Sequence, residues 1–222
     1  MTIVEVLENS DSNIIRIFIV RHGQTDHNKL KILQGHLDIS LNSTGEKQAK
    51  ILAKHFESIP IDYFISSDLK RCKETLEPVL EIQPKDVKYT SNLRERNMGK
   101  VQGMYLKDAL ATYGENFRNL GETEIEFTKR VEYEWNKLLD TDYKNIFLCT
   151  HGGVITRLAN YLNKDLGYKL NHGLDESKLR VPFNTSITVV DYKRTTQEGL
   201  IVDFGNTLHL GGQFEVKDQL LR

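Results

Sequence analysis

Two apolar runs, far apart in the chain, each end in a histidine followed by glycine. Residues 17–20 lead directly into Arg21-His22-Gly23, and residues 146–149 lead into Thr150-His151-Gly152-Gly153. Short apolar runs between polar stretches are typical of buried strands in a parallel sheet. The carboxyl ends of such strands are where open α/β proteins bind ligands. The two histidines can meet only if their strands are neighbours in one sheet, and this requirement constrains the fold most.

Strand-like and helix-like patterns alternate along the rest of the chain. This alternation predicts a three-layer α/β/α sandwich with a mostly parallel central sheet, a small helical cap segment and a last strand that runs antiparallel. Residues 21–42 are interpreted as a loop with a short helix near 25–31. The predicted strands are 14–20, 63–65, 89–93, 145–149, 186–192 and 200–204, and the predicted helices carry apolar stripes in 49–56, 69–80, 127–138 and 154–162.

Several local signals predict where the helices begin and end. Ser43 with Glu46 and Thr123 with Glu126 fit the capping box, in which the two side chains satisfy each other's backbone N–H groups. The run Ser66-Ser67-Asp68 is expected to cap the helix that follows it. Pro78 is expected to kink or end that same helix, because proline lacks an N–H group.

The length and composition favour one domain that binds neither nucleic acid nor a membrane. The chain has 222 residues with 30 basic and 31 acidic side chains, whereas non-specific nucleic-acid binding needs a basic excess. No apolar run approaches a membrane span or a signal-peptide core. We predict a flexible arm at 1–13 and a single domain at 14–222, with a cap-like insertion at about 97–144.

The two cysteines indicate in which cellular compartment the protein is expected. Cys72 and Cys149 both lie in apolar patterns and have no metal-ligand spacing. Buried free thiols indicate a reducing compartment, so we expect a cytoplasmic protein, which at this size could also reach the nucleus.

Four groups of polar residues follow predicted strands and are expected to converge. They are Arg21-His22-Gly23, the 66–71 segment with Arg71 in the first turn of a helix, the 93–103 segment with Glu95, and the His151 segment. Arginine and histidine donors match phosphate oxygens, and a helix N-terminus favours an anion. A neutral imidazole can also be phosphorylated on nitrogen. Glu95 is the best candidate acid for a leaving oxygen. The sequence shows no metal-ligand spacing, so we expect neither a metal nor a cofactor.

These motifs resemble the histidine phosphatase superfamily, which contains phosphoglycerate mutases and broad-specificity phosphatases. The resemblance covers about residues 14–212. It rests on Arg21-His22-Gly23, 41–49, 67–75 with Arg71, 93–103 with Glu95, 150–153, 184–189 and 205–210.

The resemblance implies roles for single residues. His22 would attack phosphorus and become phosphohistidine, and Glu95 would protonate the leaving oxygen and then activate water. Phosphoryl oxygens would be held by Arg21, Arg71 and His151, with Asn28 and the backbone N–H of Gly152 as further donors. Gln24 and Arg96 are expected substrate contacts.

In the family that the chain resembles, the length of the segment after the catalytic glutamate distinguishes phosphatases from mutases. Mutases of the family carry a long insertion there that keeps water from the phosphoenzyme. Here only the 17 residues of 104–120 separate Gly103 from Gly121. A site open to water hydrolyses its phosphohistidine, so we expect a metal-independent phosphatase of small phosphomonoesters, such as sugar phosphates. The alternatives are a cofactor-dependent phosphoglycerate mutase, a phosphoprotein phosphatase and a catalytically dead phosphate-binding or scaffold protein.

Specificity is expected to come from residues outside these motifs. The candidate segments are 24–40, 96–120 and 165–184. His36 stands where the family frequently has tryptophan and is a candidate specificity residue. A second phosphate could be met by the basic residues Lys164, Lys169, Lys178 and Arg180.

Overall fold

The computed structural model describes residue 9 and residues 11–217, so most of the expected N-terminal arm lies outside the described residues. The strands are β1 Ile14–Arg21, β2 Tyr63–Ser67, β3 Val87–Thr90, β4 Asn145–Thr150, β5 Lys169–Leu170, β6 Ile187–Lys193 and β7 Glu198–Asn206. The α-helices are α1 Asp26–Leu30, α2 Ser43–Phe56, α3 Lys70–Ile82, α4 Leu106–Tyr113, α5 Glu124–Leu139 and α6 Gly152–Lys164.

One sheet of seven strands organises these elements, in the order β3-β2-β4-β1-β6-β7-β5. Strands β3, β2, β4 and β1 are parallel, and Arg21 lies opposite Thr150 in the β1–β4 register. The two strands that lead into histidines are therefore neighbours, as the sequence requires. The α/β class with a mostly parallel sheet is confirmed.

The antiparallel strand is β6, and the expectation that it would be the last strand is wrong. Strand β6 runs antiparallel to both β1 and β7, so β7 has the direction of β1. Arg16 interrupts the apolar pattern of β1 and lies opposite Asp191 of β6 in the register. Its guanidinium donates two hydrogen bonds of 2.7–2.8 Å to that carboxylate. A buried cation needs such a partner, because a charge left unpaired there would be strongly destabilising.

Helices cover both faces of the sheet and bury alternate residues of β1. Ile15, Ile17 and Ile19 face one core, which contains side chains of α5 and α6. Phe18 and Val20 face the other core, which contains side chains of α2 and α3. This alternation follows from the two-residue period of a strand and gives the three layers.

The expected cap-like insertion at 97–144 contains elements of two kinds. Helix α4 belongs to a small separate cluster formed by Leu33, Met98, Val101, Leu106, Ala109 and Phe117. Helix α5 instead places Phe127, Val131 and Trp135 in the first large core. The division into one domain with such an insertion stays a prediction.

Two of the expected helix caps are wrong. Helix α2 is capped by Asn42, whose Oδ1 accepts from the N–H groups of Thr44 and Gly45, and the box expected at Ser43 does not form. Helix α3 has no side-chain cap on its N-cap residue, Leu69. The expected box at Thr123 and Glu126 is confirmed.

The segment expected to cap α3 makes other contacts. Asp68 accepts two hydrogen bonds of 2.6 Å from Arg94, while Asp38 accepts from the backbone N–H of Lys70 at 2.7 Å. Pro78 does not end the helix, which continues to Ile82. Leu76 and Val79, on either side of the proline, are buried and hold the helix against the core. The strand expected at 89–93 is β3, which ends at Thr90 and is followed by a 3₁₀ turn.

Cys72 and Cys149 are free and buried, as expected. Within the described range, none of the helices has the length and apolar character needed to cross a membrane.

Candidate active site

The backbone around His22 is held by two neighbouring segments. Strand β1 ends beside β4, where the N–H of His22 donates to the carbonyl of Thr150 at 2.9 Å. On the other side, the N–H of Thr185 donates to the Arg21 carbonyl at 3.0 Å, and Asn184 Nδ2 donates to the His22 carbonyl at 3.0 Å. These contacts place the His22 and His151 rings 5.2 Å apart between centroids. The predicted convergence of the two histidines is therefore present.

The hydrogen bond of His22 identifies its reactive nitrogen. Nδ1 lies 2.7 Å from the carbonyl oxygen of Gly23, which can only accept, so Nδ1 carries the proton. Within the described part of the chain Nε2 makes no hydrogen bond, and its lone pair is available. Burial lowers the pKa of His22 well below its usual value, and the charges of Arg71 and Arg21 lower it further. The ring is therefore a neutral nucleophile.

Arg71 orients the second histidine. Its Nε donates to Nδ1 of His151 at 3.1 Å, which makes Nδ1 the acceptor and leaves the ring proton on Nε2. That Nε2 donates to Ser67 Oγ at 2.9 Å. Both side chains are fully buried. Burial and the charge of Arg71 hold the pKa of His151 well below its usual value.

The Arg71 guanidinium also holds the loop above the site. Nη1 donates to the Leu37 carbonyl at 2.7 Å and Nη2 to the Gly35 carbonyl at 2.9 Å. This residue thus connects α3, the N-cap residue of α6 and the loop after α1.

Arg21 lies beside the start of α6. Its Nη1 donates to the Pro182 carbonyl at 2.6 Å, and its buried Nε finds no hydrogen-bond partner among the described residues. A Cβ added to Gly152 would come within 3.3 Å of Arg21 Nε, so the glycine allows this close approach. Burial lowers the pKa of Arg21 to about 10 against the opposing charge of Glu95, so it stays a cation at neutral pH. A buried, unpaired N–H next to a helix N-terminus is suited to an anionic oxygen.

Glu95 completes the cluster from a fourth segment, the loop that follows β3 and its 3₁₀ turn. Its Oε1 accepts from the N–H of Arg96 and its Oε2 from the N–H of Gly153, both at 2.9 Å. The side chain is 8 % exposed, at the wall of a pocket that continues along α6. The carboxyl group therefore lies at the boundary between the buried side chains of the cluster and the pocket.

The Glu95 segment is held in place by Arg130 and His36, and sequence reasoning assigned no role to Arg130. Arg130, on α5, donates to the backbone carbonyls of Asn92, Arg94 and Glu95 over 2.6–2.9 Å and pairs with Glu122. His36 Nε2 lies 2.9 Å from the same Glu95 carbonyl and donates to it. These are contacts across the fold, and no local pattern in the sequence reports them.

The remaining predicted residues lie around this cluster. Asn28 forms a capping box with Thr25, and its Oδ1 lies 3.3 Å from Nδ2 of Asn184. Gln24 Oε1 accepts from Asn42 Nδ2 at 3.1 Å, so its side chain is engaged at the start of α2. Arg96 lines the pocket beside Glu95.

Asn184 and Thr185 lie in the 184–189 motif of the resemblance, which implies no role for either residue. The structure places Asn184 between the His22 carbonyl and Asn28, and Thr185 adopts a left-handed backbone with φ of 55° while it donates to Arg21. In the sequence, the only sign of their role is that two polar residues directly precede a strand. Among the described residues no three His, Cys, Asp or Glu side chains form a cluster that could hold a metal ion.

Comparison with known proteins identifies the family of this chain and shows that it is similar to proteins from two yeasts, among others. The Histidine phosphatase superfamily (branch 1) matches residues 17–203. Broad-specificity phosphatase YOR283W of Saccharomyces cerevisiae is 42% identical over 229 residues, covering 97% of this chain and 96% of that protein. Probable phosphatase C1687.21 of Schizosaccharomyces pombe is 37% identical over 203 residues, covering 88% and 95%.

A solved structure with the same fold is that of a phosphoglycerate mutase from Bacillus anthracis. It superposes with a TM-score of 0.76 at 23% identity and covers 90% of this chain and 97% of that one. At this identity the likeness concerns the fold alone.

Proposed function

Because the chain belongs to the histidine phosphatase superfamily, we propose that it is a metal-independent phosphatase that hydrolyses small phosphomonoesters through a phosphohistidine at His22. The observation that carries the proposal is the state of His22. Its Nδ1 is tied to the Gly23 carbonyl, which leaves the neutral Nε2 to attack between two arginines. The names of the two fungal relatives support a phosphatase.

The first step transfers the phosphoryl group to the enzyme. Nε2 of His22 forms a bond to phosphorus as the bond to the ester oxygen breaks, and Glu95, as the carboxylic acid, gives its proton to that oxygen. Arg21, Arg71 and the N-terminus of α6 lower the energy of the phosphoryl oxygens in the transition state. These cations supply the positive charge that a metal would otherwise provide.

The second step releases phosphate. Glu95, now a carboxylate, takes a proton from a water molecule that attacks phosphorus, and the bond to Nε2 breaks. His151, whose ring Arg71 orients, would contact a phosphoryl oxygen. We also propose that Asn28, Gln24 and Gly152 contact the phosphoryl group. Their positions around the histidine cluster support this. The cytoplasmic or nuclear location stays a prediction.

Rapid-quench labelling with a radioactive ester tests this proposal. We expect an acid-labile, base-stable label on wild-type protein and none on His22→Ala, whose turnover should be nearly abolished. Addition of EDTA should leave the rate unchanged. Label on another side chain, or silencing by EDTA, would contradict the proposal.

The mutase alternative makes a different prediction for the same protein. It requires isomerisation of a phosphoglycerate that depends on 2,3-bisphosphoglycerate and releases no phosphate. Phosphate release without that compound would exclude it. A dead phosphate-binding protein would release no phosphate from any ester near pH 6.

A further inference from the structure

A pocket of about 460 Å³ lies next to the proposed phosphoryl site. Glu95 and Gly153 line the pocket and also belong to that site. Helix α6 supplies the pocket lining from Gly153 to Lys164, and Arg96, Arg118 and Phe127 supply lining from outside this helix. The volume is in the range of small-molecule sites, and the pocket lies where the alcohol part of a phosphoester would leave. The side chains that line the pocket therefore determine which alcohol groups the enzyme accepts.

Cations dominate the lining of this pocket. Arg96, Arg118, Arg157 and Lys164 all contribute, against the carboxyl groups of Glu95 and Asp165. The whole chain has a net charge of −1, so this is a local excess of positive charge in a nearly neutral protein. A concave site lined by one sign of charge attracts ligands of the opposite sign.

The cations come from three segments: Arg157 and Lys164 from α6, Arg96 from the residues after Glu95, and Arg118 from a 3₁₀ turn at Glu115–Leu120. Arg157 lies on α6 and pairs with Glu124. Arg96 donates to the Glu122 carbonyl at 3.1 Å and to Asn119 Oδ1 at 3.1 Å. Burial lowers the pKa of Arg96, and the charge of Arg157 adds to this effect although Glu124 opposes it. Glu124 already neutralises part of the charge of these two guanidinium groups, and a further anion bound beside them would stabilise them more.

We propose that this pocket binds a second anionic group of the substrate, a phosphate or a carboxylate, so that the enzyme prefers phosphoesters that carry a second negative charge. The inference rests on the proposed function, because the pocket shares Glu95 with the phosphoryl site. Arg157 and Arg118 are the residues that determine this specificity, with Arg96 and Lys164 beside them.

The helix sets the length of the substrate that fits. Gly153, Arg157 and Lys164 share one face of α6, and Arg157 lies four residues beyond Gly153, which is about 6 Å along the helix axis. A short carbon chain spans that separation. Lys164 lies near the far end of the pocket and meets only longer substrates.

Only one of the four basic residues considered from the sequence lines this pocket. Lys178 and Arg180 line a different cavity near the C-terminal segment, and the Lys169 side chain is 79% exposed and pairs with Glu198. Lys169 therefore serves as a matched control, because it is a cation of the same region outside the pocket.

Matched pairs of substrates test the proposal. For each pair kcat/KM is measured without added metal. One pair is 3-phosphoglycerate and glycerol 3-phosphate, which differ by a carboxylate in place of a hydroxymethyl group. The other pair is propane-1,3-diol bisphosphate and its monophosphate, which differ by a phosphate. We expect at least a 10-fold preference for the doubly charged member of one pair or both, and which pair shows it identifies the second anion.

Variants assign the preference to the pocket. Arg157→Gln should reduce the preference, as a ratio of kcat/KM values, about 10-fold or more. Arg118→Gln should reduce it too and provides a second variant if the first does not fold. Glu124→Gln keeps the cation and removes its partner, so the preference should be kept or increased. Lys169→Gln should leave the ratio unchanged.

The outcomes separate the subsite from the chemistry. p-Nitrophenyl phosphate has no second anion and reports on the phosphoryl site. If wild-type protein hydrolyses it but shows no preference within either pair, the subsite is overturned and the proposed function stands. A preference that survives in both arginine variants also overturns the assignment. If no ester is hydrolysed at all, the proposed function fails and this inference fails with it.

Discussion

At the scale of single residues, the site is built by backbone groups that determine which side-chain atoms react. The Gly23 carbonyl takes the Nδ1 proton of His22, and two backbone N–H groups hold the two oxygens of Glu95. Hydrogen bonds of this kind position a nucleophile and an acid at little entropic cost during the reaction. Substitutions that leave both functional groups intact but move the backbone around them should therefore impair turnover.

The variant Gly153→Ala tests whether turnover depends on the position of the Glu95 carboxyl group. A Cβ at position 153 would lie 3.0 Å from Glu95 Cδ, so the carboxyl group must move. The helix itself gains from alanine by about 1 kcal/mol, so the fold should persist. We expect turnover of alkyl phosphates to fall roughly 10²-fold, as for the loss of a positioned acid, with a much smaller loss for p-nitrophenyl phosphate. Steady-state kinetics on both esters measure this.

Glu95→Gln provides the comparison for Gly153→Ala. It should slow turnover by about 10²–10⁴-fold and should also spare the ester with the good leaving group. The double variant should be little worse than Glu95→Gln alone, because both changes remove the same proton transfer. Fully additive losses, or equal losses for both esters, would remove Glu95 from the acid role.

Arg130 is expected to act through Glu95 as a positioning residue. Its guanidinium binds three backbone carbonyls of the Glu95 segment, a geometry that the single ammonium group of lysine cannot reproduce. Arg130→Lys should lower kcat for alkyl phosphates by about 10- to 100-fold, which is the effect of a small misplacement of the acid. The loss for p-nitrophenyl phosphate should be smaller. A purely structural role would reduce the rates of both esters equally, together with the melting temperature.

At the scale of elements, Asn42 joins a helix end to the active-site loop. Its Oδ1 caps α2 through the N–H groups of Thr44 and Gly45, and its Nδ2 donates to Gln24. Asn42→Ala should destabilise the protein by about 1 kcal/mol, or roughly 2–4 °C in Tm at this size. Ser43→Ala should change Tm by much less, because Ser43 is exposed and does not form the cap. Thermal unfolding of the two variants measures the difference, and the reverse order would contradict the structure.

Elements with a strong apolar period were predictable, whereas their ends were less so. The patterns of β1, α2, α5, β4 and α6 each place apolar residues on a face that becomes buried, and the sequence alone reports this. The cap of α3 depends on Asp38, which is 32 residues away from Lys70, and no local rule finds such a partner. Pro78 is tolerated within α3 because tertiary packing outweighs its local preference.

At the scale of the whole molecule, the candidate site followed from one topological requirement. Two histidines at strand ends indicated neighbouring parallel strands, and this adjacency brings Arg21, His22 and His151 together. The contacts of Arg130, His36 and Asn184 were not predictable, because they join elements whose relative positions depend on the packed fold. Their residue types are also common in surface loops.

The histidines together make stability depend on pH. Burial lowers the pKa of six of them, namely His22, His27, His36, His55, His151 and His209. In the unfolded chain they titrate near pH 6.5, so below that pH the unfolded state binds protons that the folded state refuses. Stability should be fully present above pH 7 and fall progressively as the pH drops below 6.5. Urea unfolding followed by the fluorescence of Trp135, the one tryptophan, measures this.

One histidine allows this linkage to be assigned. Burial, with the neighbouring His55 adding to it, lowers the pKa of His209 to about 4, and the two rings lie 5.4 Å apart between centroids. Its contribution is therefore lost between pH 6.5 and about 4. His209→Gln cannot be protonated, so the urea midpoint should decline less steeply across that window than in wild-type protein. His172→Gln, at an exposed position, should keep the wild-type slope. Identical slopes for all three proteins would show that the half-buried His209 does not resist protonation as its environment requires.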